Sequence, residues 1–174
     1  KLKIKNIKWE ILKAVLESNL ELKFDNLEKL DISNNRIDGK MIQDINNLLF
    51  SRIPSLTSLN LKHNQIGDVG ARALANSPHM VSLTSLNLGD NQIRDAGATA
   101  IAESEHMASL TSLNLVDNQI GDAGAIAIAN SQHMASLTSL DLWWNEIGDV
   151  GARAIANSQH MASLTSLNLD YNQL

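Results

Sequence analysis

Leu56-Thr-Ser-Leu-Asn-Leu-Lys-His-Asn-Gln-Ile-Gly-Asp-Val-Gly-Ala71 decides the fold, because nearly the same wording returns from Leu83, Leu110 and Leu137 and restarts at Leu164. A fixed period of 27 residues marks a repeat array, in which no unit buries its apolar face alone and neighbours stack into a continuous core. The frame L-x-x-L-x-L-x-x-N-x-I spaces its leucines by three and two, a strand pattern. The A-x-A-[IL]-A run that follows, as in Ala71 to Ala75, keeps small and apolar residues at helical spacing. Each unit is predicted to be one strand followed by one helix.

These residues resemble the leucine-rich repeat family, in its longer strand-helix, ribonuclease-inhibitor-like type. The resemblance covers nearly the whole chain. It implies an α/β solenoid shaped as a horseshoe, with a parallel sheet on the concave face and helices on the convex face. It further implies a protein-binding scaffold whose contacts lie on the concave sheet and its adjoining loops. One branch of the family activates GTPases through a loop near its N-terminal repeats, where Arg36 would be the candidate here, but no supporting constellation surrounds it. The Ile-Gly-Asp-x-Gly-Ala and His-Met-Ala-Ser-Leu-Thr-Ser-Leu segments look like repeats of bacterial members, some of which are delivered into host cells.

Composition narrows the function classes. The chain has 174 residues and no cysteine, so neither disulfides nor cysteine-rich end caps can form. No apolar run approaches the roughly 18 to 20 residues needed to cross a bilayer, and the basic start lacks the apolar segment of a signal peptide. A soluble protein is expected, cytoplasmic in the producing cell or in a host cell, without membrane contact. Residues 1 to 55 carry ten Lys or Arg against eight Asp or Glu, net plus 2, whereas residues 56 to 174 carry four against eleven, net minus 7. An acidic array with so few cations is a poor counterion displacer, which argues against nucleic acid as a partner.

One elongated domain is expected over residues 1–174. The opening leucines of the strands fall at Leu2, Leu30, Leu59, Leu86, Leu113, Leu140 and Leu167, spaced 28, 29 and then 27 throughout. Residues 1–58 are divergent repeats, 59–166 are regular and 167–174 begin an incomplete last unit, so the final strand is expected to be exposed and the chain to be a segment of something longer. That leaves open a regulatory segment of a larger enzyme or receptor. Lys1, Lys3, Lys5 and Lys8 interleave with Leu2, Ile4 and Ile7, a pattern that would protect a free sheet edge, and Trp9 is expected in the core.

Several ladders have structural explanations. Asp68, Asp95, Asp122 and Asp149 fall where the helices begin and can cap orphan amides there. Gly70, Gly97, Gly124 and Gly151 sit in the first helical turn at a cost of about 1 kcal/mol relative to alanine, which implies close packing. Asn35, Asn64, Asn91, Asn118, Asn145 and Asn172 share one frame position, and the resemblance implies that they turn inward to satisfy loop backbone. Met80, Met107, Met134 and Met161 are expected in the core. His79, His106, His133 and His160 repeat with the unit, and turns roughly 5 Å apart hold them too far from one another to share a metal ion without convergence. No metal, cofactor or catalytic residue is assigned, although His63 and Asp90 could form an imidazole-carboxylate pair.

Binding is expected where the repeats differ most. The two positions after the strand leucine read Ser33-Asn34, Lys62-His63, Gly89-Asp90, Val116-Asp117, Trp143-Trp144 and Asp170-Tyr171. Two of the three tryptophans fall here, and large rigid aromatics dominate binding hot spots. The candidate partner-binding residues are Trp143, Trp144 and Tyr171, surrounded by the carboxylates of Asp90, Asp117, Asp141 and Asp170, with His63 on the same row. A protein or peptide with basic and apolar side chains would fit; the oligomeric state is not set by the sequence.

Overall fold

The computed structural model describes residues 2–3, 13–14, 17–18 and 24–174. The expectations for Lys1, Ile4, Lys5, Ile7, Lys8 and Trp9, and for the side chain of Lys3, lie outside the described residues. Seven short strands, β1 (Leu2–Lys3), β2 (Lys29–Asp31), β3 (Ser58–Asn60), β4 (Ser85–Asn87), β5 (Ser112–Asn114), β6 (Ser139–Asp141) and β7 (Ser166–Asn168), form one parallel sheet in chain order. Between them run the helices α1 (Gly39–Leu48), α2 (Gly67–Ala75), α3 (Asp95–Ala102), α4 (Asp122–Asn130) and α5 (Asp149–Ala156), each followed by a 3-10 turn. The result is an α/β solenoid with the sheet on its concave face and the helices on its convex face.

The register brings the opening leucines side by side, from Leu30↔Leu59 to Leu140↔Leu167, so the 27-residue spacing becomes a row of leucines in the core. Leu56, Leu59, Leu61 and Ile66 and their equivalents in the next three repeats are buried, as are Leu74, Ile101 and Ile128 from the helices and Met80, Met107, Met134 and Met161 from the turns after them. Each such side chain contributes about 1.5 to 3 kcal/mol by leaving water. Leu167, on the outermost strand, is 40% exposed where Leu140 is 1%.

Polar ladders hold the turns together. Asn118 is buried beneath its loop: its Nδ2 donates to Leu115 O at 3.0 Å and to Leu88 O of the preceding repeat at 3.1 Å. Its Oδ1 accepts from the amides of Asn91 at 3.2 Å and Ile93 at 2.9 Å. Asn64 and Asn145 repeat the arrangement with local variations. Buried backbone groups must find partners, and this one side chain supplies them to two consecutive turns. A second ladder follows the C-terminal ends of the helices, where Ser104, Ser131 and Ser158 donate from Oγ to the carbonyls of Ala75, Ala102 and Ala129.

The aspartates cap helices, but not their own. Asp95 Oδ1 accepts from the amides of Gly121 at 2.8 Å and Gly124 at 2.9 Å, so it closes the start of α4, one repeat further on. Asp68 does the same for Arg94 and Gly97, and Asp122 for Gly148 and Gly151. At the N-cap positions the side chain of Arg94 makes no capping bond, and Gly121 and Gly148 have no side chain to cap with. Asp149 departs from the series and accepts from Arg153 Nη2 at 3.0 Å. The expected local cap is therefore corrected to one made across the repeat boundary. In the divergent unit Asp38 caps its own helix by accepting from Met41 N at 2.8 Å.

This contact explains the glycines. A Cβ added at Gly124 would lie 2.9 Å from Asp95 Oδ1 and 2.7 Å from Ile120 Cγ2, closer than real atoms approach. Gly97 and Gly151 are enclosed in the same way by Asp68 with Ile93 and by Asp122 with Ile147. Helix propensity alone favours alanine by about 1 kcal/mol. Gly124→Ala is expected to invert that sign and lower stability by about 1 to 3 kcal/mol through overpacking and loss of the cap. Urea unfolding of the variant measures it, and an unchanged or raised midpoint would refute the interlock.

Candidate functional site

The residue before each inward asparagine carries the site. Asn34, His63, Asp90, Asp117, Trp144 and Tyr171 all have φ between 53° and 60°, in the left-handed region. The turn imposes that conformation. Amides of five of them donate to the carbonyl one repeat ahead, as in Asp117 N to Trp143 O at 2.8 Å and Trp144 N to Asp170 O at 3.0 Å. The asparagine that follows then points inward. Asparagine, aspartate and histidine tolerate this backbone better than other L residues, which accounts for the first four members of the row. Trp144 and Tyr171 have no such tolerance, and a side chain there costs roughly 1 to 2 kcal/mol.

Three aromatic rings meet at this end of the row. Trp143 packs edge-on against Trp144, with ring centroids 5.1 Å apart, and against Tyr171 at 5.2 Å. Trp144 and Tyr171 are stacked at 6.0 Å, with 13° between their planes. Trp143 is half-buried, whereas Trp144 is 54% and Tyr171 72% exposed. Such pairs return about 0.5 to 1.5 kcal/mol each, an amount comparable with the backbone strain. Trp144 does not fold away over the loop.

The carboxylates divide into two groups. Asp141 Oδ1 accepts from Trp143 N at 3.2 Å and its Oδ2 accepts from Asn114 Nδ2 at 3.2 Å, so it orients Trp143 from within the concave row. Asp31, Asn60, Asn87, Asn114 and Asn168 make the same turn contact in their own repeats. Asp90 contacts His63 Nδ1 through its Oδ2 and is separated from Trp144 along the row by Asp117. The expected ring of four acids around the aromatics is thus corrected: Asp117 and Asp170 flank them, Asp141 serves the backbone, and Asp90 belongs to a separate pair.

His63 and Asp90 are each close to half exposed. His133 and His160 line a 560 Å³ cleft with Glu103 on the helical side. Among the described residues no group of three metal-capable side chains converges. Arg36 is exposed in the loop before α1, also with a left-handed backbone. Among the described residues no helix is long and apolar enough to cross a membrane. The left-handed row is the feature that sequence reasoning missed, and the signal was present: Asn34, His63, Asp90 and Asp117 are the residue types that such a position admits.

Two family profiles described as leucine rich repeat match the chain, one over residues 25–93 and the other over 106–129 and 133–156. No curated protein sequence matches it. Among solved structures, an internalin from Listeria monocytogenes is similar with a TM-score of 0.66 and 23% identity, covering 99% of this chain and 48% of its own. This chain therefore spans about half the length of that protein. Actin-binding site 2 of leiomodin-1 is similar with a TM-score of 0.54 and 20% identity, covering 78% of each chain. At these identities the likeness concerns the fold.

The strained row yields a test. Trp144→Asn exchanges ring contacts for a residue suited to the left-handed backbone, and stability is expected to change by less than about 1 kcal/mol. Chemical unfolding measures it. A loss above about 3 kcal/mol, the range of a large core aromatic, would make Trp144 a packing residue.

Proposed function

The chain belongs to the leucine-rich repeat family, and from that membership we propose that it is a non-catalytic scaffold for protein recognition. Its contact surface is the aromatic end of the concave sheet and the adjoining turns: Trp143, Trp144 and Tyr171, with Asp117 and Asp170 beside them and Asp141 holding Trp143 in place. The observation that carries this proposal is the exposure of Trp144 and Tyr171 on a backbone that disfavours them. Rigid aromatic area presented to water is what binding hot spots use. The partner is a protein or peptide with basic and apolar side chains, because the regular repeats are acidic. His63 and Asp90 extend the same row and form a secondary contact.

The neighbours agree with a scaffold. One is an internalin of a bacterium and the other an actin-binding site, and the repeat wording supports a bacterial, host-directed context for this chain. Nucleic acid is not the partner, since residues 56 to 174 offer only Lys62, Arg72, Arg94 and Arg153 against eleven carboxylates.

The test uses a double variant, Trp143→Ala with Trp144→Ala, and Arg153→Ala as a control on the helical face. Proteins captured from bacterial and host lysates by the parent chain supply the ligand. The double variant is expected to bind it at least about 30-fold more weakly, the equivalent of a 2 kcal/mol hot spot. Arg153→Ala should bind as the parent does. Retained affinity together with a large loss of stability would place the binding surface elsewhere.

A further inference from the structure

We propose that the partner inserts an arginine at this surface, its guanidinium plane lying on the Trp144 indole and its N–H groups donating to the carboxylate of Asp117. This rests on the aromatic trio being the contact surface and names what that surface reads.

Charge supplies the first argument. Between Asp95 and Leu174 the only cation is Arg153, set against nine Asp or Glu. Several of those acids are already engaged: Asp95 and Asp122 cap helices, Asp141 holds a turn, and Asp149 accepts from Arg153. Among the described residues the carboxylates of Asp117, Glu146 and Asp170 have no hydrogen-bond or ion-pair partner. All three are exposed: Glu146 and Asp170 lie on the turns that bear the aromatics, and Asp117 lies on the turn just before them.

Geometry supplies the second. Asp117 and Trp144 occupy the same left-handed position on consecutive turns, tied by Asn118 N donating to Trp144 O at 3.3 Å. Neighbouring strands lie about 4.8 Å apart. A planar group stacked on the indole therefore has Asp117 one rung away, within reach of an in-plane N–H donor. Tyr171, stacked on the other side of Trp144 with 13° between the planes, backs the indole and holds its plane. Guanidinium suits this site better than ammonium, because its delocalised plane stacks on an aromatic face while its edge stays free for a carboxylate, and it gives up less hydration. A compact lysine head cannot do both at once.

The probes are four capped tripeptides, acetyl-Leu-X-Leu-amide, in which X is arginine, lysine, citrulline or norleucine. The indole Nε1–H resonances of Trp143 and Trp144 in the full chain report binding. The arginine peptide is expected to bind at least fivefold more tightly than the lysine peptide and at least tenfold more tightly than the citrulline peptide. Asp117→Asn, nearly isosteric and at an exposed site, should bring the arginine peptide down to the citrulline level with the unfolding midpoint unchanged. Equal binding of arginine and citrulline would overturn the proposal, as would an arginine preference that survives Asp117→Asn. If the norleucine peptide binds as well as the arginine peptide and needs both tryptophans, the contact surface stands and the arginine assignment alone fails. If no peptide moves either indole and the Trp143→Ala, Trp144→Ala variant captures the same proteins as the parent, both fail.

Discussion

The architecture depends on one buried amide per turn. Asn118 and its equivalents each close their own loop and at the same time supply an acceptor to the loop before it. To reach that position the chain must reverse sharply, and the residue immediately before the asparagine takes up the left-handed backbone. One of the two most variable positions of the repeat is therefore held in the left-handed region. Its side chain contributes little to the core and projects at the rim of the sheet, so a change of residue there alters the surface without disturbing the stack. The requirement for backbone satisfaction in the interior thus creates the positions from which a partner can be read.

Much of this was legible in the residues themselves. Leucine spacing gave strand register because every regular unit has the same length, and an error of one residue would have turned Leu59, Leu86 and Leu113 outward. The aromatic cluster was legible because Trp143-Trp144 and Tyr171 lie 27 residues apart in frame. Two things were not. The period places Asp95 over Gly124 as readily as over its own helix start, and only the three-dimensional offset between a strand and the following helix decides which amide its carboxylate meets. Likewise, Asp141 and Asp117 look equivalent as acids, but one sits at a strand end with its oxygens facing backbone and amide donors and the other at the rim facing solvent.

Aspartate and glycine form a matched pair whose members sit in different repeats. The Gly124 amide has room to approach Asp95 only because no side chain intervenes. This couples neighbouring units more tightly than apolar stacking alone, since a hydrogen-bonded carboxylate is sensitive to small displacements that leucine packing would absorb. In a one-dimensional array, stability is a sum of weak units and strong interfaces, and the interlock shifts weight to the interfaces.

The two ladders point in opposite directions along the chain. The starts of α3, α4 and α5 are each closed by a carboxylate from the repeat before, whereas the turns are closed by an amide from the repeat after. For a protein made from its N-terminus, the consequence is a sheared growth front. A newly emerged helix finds its cap already in place, while the loop on the opposite edge must wait one more repeat for its acceptor. The rim that carries the variable residues is thus the last part of each unit to become fixed during synthesis.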